Sequence, residues 1–465
     1  MRHILRCVIC FIIAAVLMSG PGTAFARDCA DTGYIVKYRD GAARPATDDT
    51  DCPFDVVDAR TLHELRAAGA VEWFERDRDV QLSDADISET GELCGSLSPY
   101  YSDEMWHLDM IDADLAYSLG CEGEGVRIGV VDSGVSAHPA LAACLTEGYN
   151  YLDGNSDTSD TLGHGTSVAG LIAGVDSEGH MGVAPKATLV PLKCFDKNSS
   201  KVSKICQAIY GGVDDFDCDI LNLSLGFSQE SLAMYEAVEY AAEKGVLVIS
   251  AVGNGGTMNI NFPAKYDNVL AVGSIGKDGL ISPRSNYGYG VIITAPGETV
   301  KTTYFNSGYA QVSGTSYAVP MVSGAAAVLM SMDPSLSFED VTRILYENAT
   351  DKGKEGYDPT YGWGVLNLDS AVKAVIGDRP VYIAPPAADT TAIYNNSDGE
   401  LNCLYLLSEY DEDGRIKNVT VRKLLMQAGE VAAVPAPGKG TTAAQFVCDL
   451  HTLRPLAEAR DFHYE

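Results

Sequence analysis

Residues 313–333 read SGTSYAVPMVSGAAAVLMSMD. Gly314, Thr315 and Ser316 precede an apolar run containing Gly324 and Ala325–Ala327, the pattern of a tight turn opening into a buried helix that packs closely on its neighbours. Ser316 falls at the helix N-terminus, where free N–H groups and the positive dipole end favour developing negative charge. Pro320 follows four residues on, and its missing N–H leaves the Ser316 carbonyl without a helical partner. A buried helix with no chemical task can begin the same way. The stretch acquires chemistry only if a base and a second acid lie elsewhere in the chain.

The start of the chain carries Arg2 and Arg6, an apolar run from Cys7 to Met18, and Ala24-Phe25-Ala26. That is the layout of a cleaved secretory leader over 1–26, so we expect an extracellular protein with no membrane span after cleavage, soluble or held at a cell surface. The net charge of −31 argues against nucleic acid and anionic membranes as partners. Of twelve cysteines, Cys7 and Cys10 lie in the leader. The rest fall in even groups, Cys29 with Cys52, then Cys94, Cys121, Cys144, Cys194, Cys206 and Cys218, then Cys403 with Cys448, and outside the cytosol these predict disulfides. None has the paired spacing of a zinc site, so no metal ligand is assigned.

Residues 31–83 read as a small α+β unit: alternating Tyr34–Tyr38, helical Leu62–Ala68, then a second strand at Val71–Phe74. Its place after the leader suggests a pro-segment over 27–83. A polar linker follows over 84–98, within a mature N-terminal segment that runs to 105. Val126–Val131 reads as a buried parallel strand ending in Asp132-Ser133-Gly134, a placement suited to chemistry because ligand sites gather at the carboxyl ends of such strands. Gly163-His164-Gly165-Thr166 opens a helix, leaving the His164 ring free to face a cleft. Strands at 188–192, 220–225, 246–251 and 269–272, with helices over 201–212 and 230–244, predict an α/β domain with a parallel sheet and helices on both faces. Asn254 directly follows a strand among glycines, either as a turn residue or as an amide donor to an oxyanion. The acidic loop Asp153–Asp157 fails the calcium-loop pattern and reads as solvated.

Taken together, these residues resemble the subtilisin family of serine peptidases. The resemblance covers 106–376 and rests on Asp132-Ser133-Gly134, His164-Gly165-Thr166 with Val168-Ala169-Gly170, Ala251 to Asn254, and Gly314-Thr315-Ser316 with Ala318 and Pro320. It implies a nucleophilic Ser316, His164 as base and then acid, Asp132 as orienting carboxylate, and an oxyanion hole of Asn254 and the Ser316 N–H. It further implies that Ser224-Leu225-Gly226 and Gly253 bind extended protein or peptide substrate as an added strand, and that the chemistry needs no cofactor. Gly255 adds no charge near the expected P1 pocket, so uncharged, apolar P1 residues are expected. By the same resemblance the pro-segment is an intramolecular inhibitor, cut autocatalytically near Leu82 or Ser83, and the enzyme is a monomer. Tyr317, Val319 and Met321 stand where many relatives carry other residues. Val175–Met181 lacks the Asn-rich sequence of the family's calcium loop, so structural calcium is not assignable. Residues 377–390 read as a linker. Residues 391–465 read as a small β module, compatible with surface binding or with bracing the catalytic domain. The alternative function is an inactive subtilisin-like binding protein targeted by that module, against which stands the intact Asp, His and Ser set.

Overall fold

The computed structural model describes residues 33–39, 41–42, 52–82, 86–88, 103–177, 179–197, 199–386, 390–411, 416–437, 441–450, 452–457 and 460–464. The expected leader, Cys29, Ser83 and Cys94 lie outside them. The chain forms two compact units, divided between Arg78 and Asp79.

The first unit is a three-stranded antiparallel sheet, β1 (Tyr34–Tyr38), β2 (Phe54–Val57) and β3 (Val71–Arg76), with β1 central. Helix α1 (Ala59–Ala67) is capped by the Asp58 side chain, which accepts from the Thr61 N–H at 2.6 Å. Leu62 of this helix joins Val36, Val57 and Val71 in a small core. The α+β reading of this stretch is what the structure contains.

The second unit opens with two short strands, β4 (Asp79–Gln81) and β5 (Asp86–Ser88), then α2 (Trp106–Met110) and α3 (Asp114–Ser118). Its centre is a seven-stranded sheet built from β6 (Arg127–Asp132), β7 (Tyr149–Asn150), β8 (Thr188–Lys193), β10 (Ile220–Leu223), β11 (Leu247–Ala251), β12 (Val269–Ile275) and β13 (Ile293–Pro296). The spatial order is β13-β12-β11-β10-β6-β8-β7 and every pairing is parallel. Strand β9 (Ser199–Lys201) follows β8. The crossovers are α4 (His164–Ala173), α5 (Val202–Asp214) and α6 (Leu232–Glu243). Parallel strands need such helices, and burial on both faces explains why their sequences are continuously apolar.

After β13 the chain makes a hairpin, β14 (Val300–Tyr304) and β15 (Gly308–Ser313), which leads into α7 (Thr315–Met332). This last helix is the stretch quoted at the outset. It is long and apolar enough to cross a membrane, but nearly all of it is buried in the core. Gly324 is needed there, because a Cβ would come within 2.6 Å of Val183 Cβ. Helices α8 (Phe338–Glu347) and α9 (Leu368–Ile376) complete the layer.

The stretch 377–390, expected as a linker, contains β16 (Val381–Ile383), which pairs with β17 (Thr390–Asn395). Beyond it come β18 (Leu401–Tyr410), β19 (Ile416–Met426), β20 (Val431–Pro435), β21 (Thr441–Asp449) and β22 (Arg460–Tyr464), forming sheets β16-β17-β20 and β19-β18-β21-β22. Tyr382 and Tyr394 belong to the same core cluster as the parallel sheet. The C-terminal strands therefore pack into the core of the larger domain.

The disulfide expectation is not met at five of the described cysteines. Cys144, Cys194, Cys218, Cys403 and Cys448 carry free thiols. Cys403 lies opposite Asp449 and Cys448 opposite Leu404, so the two sulfurs leave neighbouring strands on opposite faces and cannot meet. Burial pushes the Cys144 and Cys218 thiols up to about 12 and Cys403 to about 11, which keeps them inert.

Two core histidines have a stability consequence. His107 is fully buried beside Trp106 and neither ring nitrogen has a partner among the described residues. Burial, helped by the His180 charge, holds it down at about 3. His180, with Nε2 3.3 Å from the Gly170 carbonyl, is held at about 4, again chiefly by burial. Both folded values lie below the unfolded 6.5, so below that pH the unfolded chain takes up protons that the folded one refuses. Stability is full above pH 6.5 and falls as pH drops toward 4 and 3, by about 2 kcal/mol per histidine at pH 5. Replacing His107 by Leu should flatten this fall, read as thermal midpoint against pH; an unchanged slope would exclude His107 as its source.

Candidate active site

Four connections at the carboxyl edge of the parallel sheet converge: those after β6, β7, β10 and β11. Asp132 is the last residue of β6, fully buried. His164 is the first residue of α4, and its Nδ1 lies 2.8 and 2.9 Å from the two Asp132 carboxylate oxygens. The carboxylate can only accept, so Nδ1 carries the proton and Nε2 is the basic nitrogen. That Nε2 is buried and has no partner among the described residues. Burial opposes the imidazolium, but the Asp132 charge and hydrogen bond, with Asp160 behind them, outweigh it and raise the His164 pKa above 6.5.

The start of α4 is fitted tightly to β6. A Cβ on Gly165 would lie 2.1 Å from the Gly134 carbonyl oxygen and 3.1 Å from Asp132, so only glycine lets the helix come so close. Gly163 has φ +85°, and a side chain there would enter the Tyr304 ring.

Ser316 is the second residue of α7 and is buried. Its carbonyl, deprived of a helical donor by Pro320, accepts from Ser224 Oγ at 2.7 Å. Ser224 Oγ in turn accepts from Asn222 Nδ2 at 2.9 Å, and Asn222 Oδ1 accepts from Ser323 Oγ at 3.0 Å. The carbonyl orphaned by the proline is thus satisfied from the β10 connection, which locks that connection to the helix. Ser316 Oγ donates to the Ser224 carbonyl at 3.1 Å and not to His164. Next in sequence, the buried Tyr317 ring packs against His164 with centroids 5.4 Å apart. Burial, reinforced by the Asp132 charge, pushes its phenol well above the usual range, so it stays neutral.

Asn254 follows β11. Its Oδ1 accepts from the Thr315 N–H and from Thr315 Oγ1, both at 2.8 Å. This fixes the amide orientation and presents Nδ2 beside Gly314, where a Cβ would lie 3.0 Å from it. Gly253 has φ +105° and no room for a side chain between the amides of Asn286 and Asn261. Leu225 is fully buried, and Gly226 lies over Asn261.

Some residues that organise the site are not marked by any familiar pattern. Asp160 accepts from Ser133 Oγ and from the Leu162 and Gly163 N–H groups at 2.9 Å each, and from the Thr166 N–H and Oγ1 at 2.9 and 2.6 Å. It is a charged cap on the N-terminus of α4, and through Ser133, which accepts from the Gly165 N–H at 3.0 Å, it ties His164 to the end of β6. Asn286 plays the same part for the Asn254 loop: its Oδ1 accepts from the Gly255 and Thr257 N–H groups at 3.0 and 3.1 Å and its Nδ2 donates to the Val252 carbonyl at 3.0 Å. An acidic residue shortly before a helix start is the only signal that pointed to Asp160; Asn286 had none.

The described residues of 175–181 do not form a calcium cage. The His180 N–H at 3.0 Å and the Tyr309 hydroxyl occupy the two Asp176 oxygens, and the buried His180 ring packs on Tyr309 at 5.3 Å. Calcium requires a cage of oxygens open toward one point.

The N-terminal end of the second unit also reaches this edge. β4 pairs antiparallel with β9, Val80 opposite Ser200, and β5 pairs antiparallel with β15, Asp86 opposite Ser313. Val80 and Leu82 are buried.

The family model of the subtilase family matches residues 123–364. Subtilisin Savinase of Lederbergia lenta is 37% identical over 270 residues, 58% of this chain and 98% of the relative. The minor extracellular protease Epr of Bacillus subtilis (strain 168) is 31% identical over 364 residues, 75% of this chain and 56% of the relative. A thermostable alkaline protease of Halalkalibacterium halodurans is 29% identical over 377 residues, 80% of this chain and all of the relative. With the family match spanning more than half of its length, the chain belongs to the subtilase family and is a subtilisin-like serine endopeptidase.

Proposed function

We propose that the chain is an exported zymogen that cleaves its own N-terminal segment and then hydrolyses peptide bonds through Ser316, His164 and Asp132. The observation that carries this is the buried Asp132–His164 pair at 2.8 Å, whose basic Nε2 is left without a partner beside the start of α7. Rotation of Ser316 about χ1 moves Oγ from the Ser224 carbonyl toward that nitrogen, an exchange between staggered positions. His164 then takes the hydroxyl proton as Oγ attacks the carbonyl carbon, and delivers it to the leaving amine. Asp132 stabilises the imidazolium formed in between. The oxyanion develops beside the free end of α7, where the Ser316 N–H and Asn254 Nδ2 donate to it. Water reverses the sequence to release the acid.

Ser224 to Gly226 on one side and β9 on the other form the two strands between which extended substrate lies, recognised mainly through its backbone. The pairing of β4 with β9 supports a pro-segment tail already in that position, with the first scissile bond between Leu82 and Asp86. Export rests on the leader-like residues 1–26 and on the similarity to a relative named as extracellular.

The test is to express the full chain and follow its mass and N-terminal sequence over time, with casein hydrolysis measured in parallel. A new N-terminus within 83–86, appearing as caseinolysis begins, is the expected result. A chain that stays whole and inert would refute the zymogen reading.

A further inference from the structure

Resting on that peptidase reading, we propose that the first cut leaves the enzyme partly inhibited by its own new N-terminus. Residues Asp86–Ser88 stay seated on β15 and compete with the leaving-group half of substrates until a second cut beyond Ser88 removes them.

The pairing defines the position. Asp86 lies opposite Ser313, Ile87 opposite Val312 and Ser88 opposite Gln311. Ser313 is three residues before Ser316, so β5 runs away from the nucleophile along the strand that leads into it. β5 is the third strand of the ribbon β14-β15-β5, and without it the outer edge of Gln311–Ser313 is open among the described residues. Together, β4 on β9 and β5 on β15 place one stretch of chain on both sides of Ser316. Hydrolysis between Leu82 and Asp86 makes everything before the cut a separate polypeptide, which dilution removes. It breaks no hydrogen bond between β5 and β15, and β5 remains covalently part of the enzyme.

The far end of the tether strengthens this. Ser88 faces Gln311, Gln311 pairs across the hairpin with Lys301, and Lys301 is ion-paired with Glu104. The connection 89–103 is therefore anchored at both ends on this ribbon, at Ser88 by strand pairing and near Glu104 by its ion pair with Lys301, which lies about 10 Å from Ser88 across two strand spacings. A three-residue strand binds weakly as a free peptide, but a short tether gives it an effective concentration on the order of millimolar. A segment with an untethered Kd of about 0.1 mM would then occupy the edge roughly nine-tenths of the time. The second cut is an ordinary hydrolysis: water is consumed, one peptide C–N bond beyond Ser88 breaks, and a short peptide leaves with the new carboxylate.

A recognition sequence for an unrelated cysteine protease, placed within 89–98 of the full-length chain, allows β5 to be clipped off after the first cut. Two substrates are compared before and after clipping: a quenched peptide with three residues on each side of the scissile bond, and a peptidyl p-nitroanilide with nothing beyond its leaving group. Clipping should raise kcat/KM for the quenched peptide about tenfold, mainly through KM, and leave the anilide within about twofold. Ile87→Pro, which disrupts strand pairing without a second cut, should reproduce the gain. Equal response of both substrates to clipping, or a first N-terminus already beyond Ser88, would overturn the inference while leaving the peptidase intact. Absence of hydrolysis of either substrate before and after clipping would sink the peptidase reading and this inference with it.

Discussion

Ser316→Ala is expected to abolish both activities of the chain at once: it should remain full length and hydrolyse no casein. The size of the loss is about 10⁶ in turnover, the figure known for subtilisin itself and carried over on family membership. The variant should fold. Ser316 is a buried helix-start residue whose hydroxyl makes one hydrogen bond, to the Ser224 carbonyl, and that carbonyl is on a connection already held by Ser224 Oγ. Unchanged melting with an uncut chain would therefore identify the hydroxyl as chemical. Processing at the wild-type rate in this variant would show that another protease makes the first cut.

Asp132→Asn is expected to lower kcat/KM by about 10⁴ at neutral pH, the scale of this change in serine peptidases. Asparagine would offer the His164 Nδ1 a donor in place of an acceptor, which selects the wrong tautomer. The pH profile supplies a second readout. His164 acts as a base only when neutral, and its pKa lies above 6.5 because Asp132 outweighs burial. The acid limb of the wild-type profile should therefore lie above pH 6.5. With the carboxylate charge gone, burial dominates and the limb should move below 6.5. The same raised pKa implies that this pair stabilises the fold fully below about pH 6.5, a contribution lost as pH rises through the folded value. A profile that does not move would mean that Asp132 does not govern the imidazole.

Much of the site was legible because its residues lie at the boundaries of elements, where local pattern and chemistry coincide. Asp132 ends a continuously apolar strand, His164 and Ser316 start helices of small residues, and Asn254 follows a strand within glycines. Each glycine beside them has a reason visible only in space, as at Gly165, whose missing side chain lets α4 touch β6. The supporting set was not legible. Asp160 and Asn286 act through hydrogen bonds to backbone groups of a folded loop, and nothing in their immediate neighbours marks them. The expected pairing of Cys403 with Cys448 failed for a related reason: cysteine parity counts thiols but cannot tell which face of a strand they leave from.

By itself, the sequence determined the family, the parallel-sheet architecture and the α+β unit before it. All three depend on residue type and short-range periodicity, which are local properties. Only the tertiary structure decided what joins distant stretches. It satisfied the Ser316 carbonyl, orphaned by Pro320, from Ser224, and made Asp160 the cap that holds the base. It also built the C-terminal strands into the main core and paired β4 with β9 and β5 with the strand that leads into Ser316. Those outcomes depend on which backbone groups meet after folding, and pairing between residues far apart in the chain leaves no periodic trace within it.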